Sequence, residues 1–205
     1  MPGTLFITGD AAADALLNTD GTALLIGMLL DQQVPMEVAF RGPSTLLRRL
    51  GHLDAAAIAT MNIDDFLAVC CQVPAIHRYC GVMGRRIHQL CQQLVADYDG
   101  RGEHVWAGVK SADELYGRLR ALAGYGDEKS RIFIAILGKR MGVRPRGWKA
   151  TAGKFGESTP RSVADSTSPA ALAKVRGWKR AQRAAQLDKQ DRPVRRAPGS
   201  RQALE

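Results

Sequence analysis

Apolar residues recur every three or four positions along most of the chain, and this spacing constrains the fold more than any other feature. Residues 21–33 follow a capping sequence that ends in Asp20 and carry leucines and a methionine at helical intervals. The same spacing predicts helices over residues 54–60, 63–71, 77–98, 111–122, 127–141 and 169–186. We expect a further helix that opens at Pro35 and is broken at residues 42–44. With no convincing pair of strands, the pattern predicts an all-α fold.

Charge is distributed unevenly along the 205 residues. The chain has a net charge of +9. Residues 1–100 contain six Arg, no Lys and ten acidic residues, a net charge of −4, so residues 101–205 carry +13. A basic half joined to a mildly acidic half favours a polyanionic partner such as nucleic acid. A solubilising surface with a basic tail would give the same balance.

The N-terminus and the cysteines bear on the compartment. The first residues lack the basic region of a signal peptide, and the longest apolar run, 23–30, is too short to span a membrane. We therefore expect a cytoplasmic protein that does not enter a membrane. The spacing of the four cysteines does not resemble a zinc site, and an intracellular setting disfavours disulfides. We interpret them as small buried side chains on helices; they are Cys70, Cys71, Cys80 and Cys91.

Changes in composition divide the chain into four parts. Residues 1–19 form an N-terminal segment, and residues 20–141 form the main helical domain. Residues 142–187 comprise a loop rich in Gly, Pro, Ser and Thr and a C-terminal helix that packs on that domain. Residues 188–205 have the composition of a basic, disordered tail.

The segment 119–134 contains the most informative motif. One predicted helix ends near Leu122, the turn Gly124-Tyr125-Gly126 follows, and a second helix begins at once. Glycines allow a sharp reversal, and the free amides at the new helix start form an anion site. Lys129 and Arg131 lie just inside that helix and could add contacts to a phosphate. These are the properties of a helix-hairpin-helix motif, which grips the DNA backbone without reading bases. An ordinary turn between helices is the alternative.

Three segments in this order resemble the endonuclease III-type DNA glycosylases of the helix-hairpin-helix family. They are residues 24–35 (LLIGMLLDQQVP), residues 79–91 (YCGVMGRRIHQLC) and the hairpin at Gly124–Gly126. The resemblance covers residues 20–141. It implies a fold of two helical lobes with double-stranded DNA in the cleft between them. It also implies base excision, in which a damaged or mispaired base is flipped out of the duplex and its glycosidic bond is cut.

The resemblance assigns one further DNA-contacting residue. Gln33 matches the family's glutamine at the end of the first core helix, which reaches into the duplex where the base has left. A surface position at a helix C-terminus is the alternative.

The chain departs from the family where the catalytic carboxylate is expected. Residues 142–148 follow the hairpin's second helix and contain no acid. The next acids are Glu157 and Asp165, of which Asp165 is our candidate for the catalytic acid, with a helix cap as the alternative. Trp148 or Phe155 could stack on the extruded base, although such aromatics more often anchor a loop on the core.

Two further departures limit the chemistry. The nucleophilic lysine of the bifunctional relatives corresponds to Glu128, and Lys129 lies one residue later, rotated by about 100° on a helix. We therefore expect no strand cleavage. No cysteine follows Cys91, so no iron–sulfur cluster is expected. The sequence predicts a monofunctional DNA glycosylase; the alternatives are a non-catalytic DNA-binding protein that has lost its acid, or a scaffold for repair partners.

Overall fold

The computed structural model describes residues 3–194, which form an all-α fold. Three short 3-10 helices lie at Gly102–Val105, Gly153–Gly156 and Val163–Asp165. Within 3–194 the α-helices, in chain order, are α1 Ala11–Thr19, α2 Gly21–Leu30, α3 Met36–Leu50, α4 Ala55–Thr60, α5 Ile63–Cys71, α6 Cys80–Asp97, α7 Ala112–Ala121, α8 Asp127–Arg140, α9 Trp148–Ala152 and α10 Pro169–Ala184.

Helix α2 is the centre of the core. Every one of its residues is buried, and it contacts α1, α3, α6 and α8. The sequence permits this because residues 23–30 have no polar side chain, as expected of a helix enclosed on all sides. Asp20 caps its first turn by accepting a hydrogen bond from the Ala23 amide. The chain leaves the core directly after α2, at Asp31 and Gln33.

The backbone at the start of α2 is in direct contact with the backbone of the first 3-10 helix. A Cβ atom added to Gly21 would lie 2.4 Å from the amide nitrogen of Glu103, and one added to Gly102 would lie 2.4 Å from the Gly21 carbonyl carbon. Because both neighbours are backbone atoms, neither contact could be relieved by a change of rotamer. These two glycines therefore allow residues 80 positions apart to meet.

The predicted break at residues 42–44 is wrong. Helix α3 continues through Pro43, which is buried inside it. Gly42 packs against the Leu30 side chain, where a Cβ would lie 2.3 Å from a methyl carbon. Tertiary packing on α2 thus overrides the weak helix propensity of Gly42 and Pro43. Pro35 is the residue that precedes this helix rather than a member of its first turn.

The C-terminal third wraps around α8. Phe155 is fully buried, and the ring of Trp148 covers Gly138 so closely that a Cβ there would lie 2.4 Å from it. Ser168 caps α10, whose side chains Leu172 and Val175 are buried. Residues 142–168, predicted as a loop, thus contain short helices fixed by these contacts.

Two of the four cysteines are paired, contrary to the sequence prediction. Cys71 and Cys80 form a disulfide with their Cα atoms 5.2 Å apart, which links the end of α5 to the start of α6. Cys70 and Cys91 are buried and free, as predicted. Burial raises the pKa of both free thiols to about 12. The fold, and not the sequence spacing, decides which cysteines meet.

Residues 188–194, predicted as the start of a disordered tail, are ordered by contacts with the helical domain. Residues 188–194 form a turn in which Asp188 accepts bonds from the amides of Gln190 and Arg192. Asp191 pairs with Arg161 at 2.7 Å, and Lys189 pairs with Glu128 at 2.8 Å. The rest of the predicted tail, 195–205, lies outside the described residues.

Within residues 3–194 no single helix is long and apolar enough to cross a membrane. Helices α1 and α2 reach that length and composition only together, and they are bent by 113° with respect to each other.

Candidate nucleic-acid interface

The structure contains the predicted sharp bend between two helices. Helix α7 ends at Ala121 and α8 begins at Asp127, so five residues make the reversal. Gly124 has φ +79°, a left-handed conformation that favours glycine. Gly126 has φ −87° and ψ 179°, which any residue adopts, and it is exposed. The two glycines thus have different roles, since Gly124 is required by the bend and Gly126 leaves the start of α8 uncovered.

Tyr125 fixes the bend onto the core helix. Its side chain is buried, its ring packs edge-on against Phe133, and its hydroxyl donates to the Leu25 carbonyl oxygen at 2.9 Å. On the same side, a Cβ on Gly124 would lie 3.2 Å from the Leu29 side chain. Tyr125, predicted as part of a DNA-contacting turn, is therefore an anchor. The bend as a whole lies against the last turn of α2.

Three amides at the start of α8 are unpaired in the part of the chain that the structure describes. Among residues 3–194, the N–H groups of Gly126, Asp127 and Glu128 have no protein acceptor. Open amides and the helix dipole together favour an anion at this position. Most of the bend packs on the protein, and the open amides lie at the first residues of α8.

Two acidic side chains at the start of α8 are neutralised by neighbouring cations. Asp127 accepts bonds from the Tyr116 hydroxyl and from Arg131, and these bonds, with that of Tyr116 the larger cause, hold the pKa of Asp127 below its ordinary value. Glu128 pairs with Lys189. Their charges consequently oppose a phosphate less than unpaired carboxylates would.

Lys129 and Arg131, which the sequence predicts as phosphate contacts, both have partners within the protein. The Lys129 ammonium donates to the Leu29 carbonyl oxygen, and burial lowers the pKa of Lys129 to about 8. Arg131 pairs with Asp127 at 2.7 Å and donates to the Thr151 carbonyl oxygen at 2.7 Å. Both cations hold the second hairpin helix in place through these bonds.

Gln33 is exposed at the end of α2, in a left-handed conformation with φ +56°. Such a conformation is uncommon for a residue with a side chain and costs on the order of 1 kcal/mol. The preceding residue is clamped, since the Gln32 carbonyl oxygen lies 2.9 Å from Nε2 of His77 and the Gln32 side chain accepts from Arg86 at 3.1 Å. The fold therefore presents Gln33 outward from a rigid support.

A cleft of about 800 Å³ opens beside Gln33, between the α2–α3 connection and α10. Lys189, which is paired with the hairpin residue Glu128, lies at its edge, so the cleft and the bend are neighbours. Five cations line the cleft, and two of them form ion pairs: Arg176 binds Glu37, and Lys189 binds Glu128. Those five cations are Arg176, Lys179, Arg180, Arg183 and Lys189. This cleft, with Gln33 and the open amides of α8, is the candidate interface.

One carboxylate lines the cleft without a partner. Asp31 is half-buried, and among residues 3–194 its side chain forms no ion pair or hydrogen bond. Glu37, the other acid of the cleft, is held by Arg176. Lys179 is half-buried near Asp31, and burial lowers the pKa of Lys179, an effect that the negative charge of Asp31 partly offsets.

Asp165, the predicted catalytic acid, does not line this cleft. Its two oxygens are used structurally: one binds Lys139 at 2.6 Å and the other accepts from the amides of Arg161 and Ser162. Lys139 is twelve residues beyond Asp127, and along a helix this corresponds to about 18 Å. Asp165 is thus a cap, although of a 3-10 helix rather than of α10.

Trp148 is also remote from the bend. It packs on Gly138 and lines a second cavity of about 720 Å³ with Asp165, at the opposite end of α8. Glu157, the alternative acid, lines this second cavity as well. The structure therefore places Trp148, the predicted stacking residue, and Asp165, the predicted acid, at one cavity. Gln33 and the hairpin do not line that cavity.

Comparison of the chain with protein-family models, curated proteins and solved structures finds no match. The assignment of function consequently depends on the geometry of the cleft and on the sequence motifs.

Sequence reasoning missed the acid and the cations of the cleft. Asp31 stands two residues before Gln33, so its proximity could have suggested it. The cations of α10 gave no such signal, because their helix spacing is that of any basic amphipathic helix. Only the packing of α10 on the α2–α3 connection brings residues 31 and 179 to one cleft.

Proposed function

We propose that the protein binds double-stranded DNA and acts in base-excision repair as a monofunctional DNA glycosylase that removes a damaged or mispaired base. The proposal includes a cytoplasmic location, no strand cleavage and no iron–sulfur cluster. The observation that carries it is the cationic cleft lined by Gln33, whose residue Lys189 pairs with Glu128 at the open start of α8. A phosphate on the amides would leave the adjoining nucleotide within reach of the cleft.

The arrangement suits the physical requirements of such an enzyme. Backbone amides hold a phosphate without regard to sequence, and the cations of α10 add attraction for the polyanion. A rigidly held, outward-pointing Gln33 can occupy the space that a flipped base leaves in the stack. The proposal of hydrolysis without Schiff-base chemistry follows from the register, because Glu128 occupies the position of the family's nucleophilic lysine and Lys129 stands one residue later.

A non-catalytic DNA-binding protein is the second candidate, and one observation favours it. The acid predicted from the sequence, Asp165, is fully engaged at the far end of α8. Such a protein would keep the bend and the cleft, would bind duplexes with and without lesions equally well, and would release no base.

Gly126→Val tests DNA binding by the bend. The backbone at residue 126 accepts any residue, and an added Cβ would come no closer than 3.7 Å to the Arg120 side chain, so the variant should fold. A valine there shields the amides, and we expect affinity for any duplex to fall at least tenfold. Gly117→Val, on the open face of α7, is the matched control. Equal affinity of the Gly126 variant and the control would refute the hairpin assignment.

A panel of lesion-bearing duplexes separates the two candidate functions. The enzyme should release a free base from at least one duplex and leave the DNA strand intact. Asp165→Asn should keep that activity, because Asp165 is remote from the cleft. Binding with no release from any duplex would support the non-catalytic candidate.

A further inference from the structure

Asp31 is the carboxylate best placed to act on a nucleotide in the cleft. It follows α2 directly as its C-terminal cap and stands two residues before Gln33. The bend lies against Leu29, one half-turn earlier on the same helix. A nucleotide whose phosphate lay on the α8 amides and whose base had been replaced by Gln33 would therefore bring its sugar to Asp31.

Within residues 3–194, the surroundings of Asp31 leave its carboxylate without a bonded partner. Half-buried lysines approach from two other helices, Lys129 from α8 and Lys179 from α10, and the charge of Asp31 acts on both ammonium groups. Neither lysine pairs with it directly, since Lys129 donates to the Leu29 carbonyl oxygen and Lys179 contacts the sulfur of Met36 at 3.4 Å. A carboxylate near two cations but bonded to neither remains available to a substrate.

We propose that Asp31 is the catalytic carboxylate of base excision, an inference that rests on the proposed function. As the bond between C1′ and the base nitrogen breaks, its electron pair leaves with the base, and the carboxylate of Asp31 stabilises the positive charge that develops on the sugar. A water oxygen then bonds to C1′ and gives one proton to Asp31. Asp31 passes that proton to the departed base nitrogen, which restores the carboxylate and completes the hydrolysis.

The test compares two duplexes that differ only in the charge of the sugar analogue at one abasic position. One carries a neutral tetrahydrofuran and the other a cationic pyrrolidine, which imitates the charged sugar. We expect the full-length protein to bind the cationic duplex at least tenfold more tightly than the neutral one. Asp31→Asn should reduce this ratio to about one, because the substitution removes the carboxylate that faces the charge.

The ratio of the affinities for the cationic and the neutral duplex reports only on the charge of the sugar analogue. A change in general attraction to DNA would alter both affinities equally and leave the ratio unchanged. Glu37→Gln is the control within the cleft, because Glu37 is already paired with Arg176, and Asp165→Asn is the control outside it. Both should keep the wild-type ratio. A wild-type ratio near one, or an unchanged ratio in Asp31→Asn, overturns the assignment of Asp31 while DNA binding still supports the proposed function.

Single-turnover excision gives the second measurement. On a duplex from which the wild-type protein releases a base, Asp31→Asn should lower the rate by about 100-fold or more. An unchanged rate overturns the inference. Failure of the wild-type protein to bind any duplex overturns the proposed function, and the assignment of Asp31 with it.

Discussion

The cations of the cleft should set much of the salt dependence of DNA binding. Among the described residues, three cations of the cleft have no ion-pair partner, Lys179, Arg180 and Arg183. Each cation that neutralises a phosphate contributes about −0.9 to the slope of log affinity against log salt concentration. Replacing Arg180 and Arg183 together by Gln should therefore make the slope shallower by about 1.8.

This change in slope corresponds to a measurable difference in affinity. Between 50 and 200 mM salt, wild-type affinity should fall about twelvefold more than that of the double variant. Because residues 195–205 add further basic groups to the chain, the difference between the two slopes is the informative quantity. Fluorescence anisotropy with a labelled duplex, titrated at a series of sodium chloride concentrations, measures both slopes.

A matched pair of cations provides the control. Arg48 lies near the C-terminal end of α3, about 17 Å along that helix from the cleft, and Lys110 precedes α7 at the end remote from the bend. Both are exposed. Replacing these two by Gln should leave the slope within a few tenths of the wild-type value. Equal slopes for the α10 variant and the wild type would show that DNA does not enter the cleft and would refute the proposed interface.

Four further predictions concern the scaffold. Gly117→Ala, on an exposed helical position with open space around it, should stabilise the fold by about 0.5–1 kcal/mol in urea titrations. Gly21→Ala should destabilise it by more than about 3 kcal/mol in the same titrations, since the added methyl meets backbone at 2.4 Å. Replacing Cys71 and Cys80 by Ser opens a loop with a sequence separation of 9 and should cost about 2–3 kcal/mol by urea titration of the oxidised protein and the variant. Burial lowers the pKa of His77, so the folded protein favours the neutral imidazole and its stability should fall as the pH drops from about 6.5 toward that lower pKa. In melting temperatures measured over a series of pH values, His77→Gln should remove this decrease.

The helices and the bend were predictable because their signals are local. Asp20, Asp54, Ser111 and Ser168 each cap a helix where the sequence places a helix start. The glycine bend was found for the same reason, since positive φ at residue 124 is a property of a few adjacent residues. The break predicted at Pro43 failed because a buried helix face can stabilise a residue that is unfavourable in isolation.

The residues of the candidate site also differ in whether the sequence could predict them. The amides of α8 were predicted from their neighbours in sequence, and Gln33 from the family resemblance. The sequence did not predict the partners of Lys129 and Arg131, the distance of Asp165 from the bend or the Cys71–Cys80 disulfide. By itself the sequence determined where helices start, where the chain reverses and which half is basic, since each depends on short-range chemistry. Only the tertiary structure decided that Asp31 faces the cations of α10, because side chains nearly 150 residues apart meet only through the packing of whole helices.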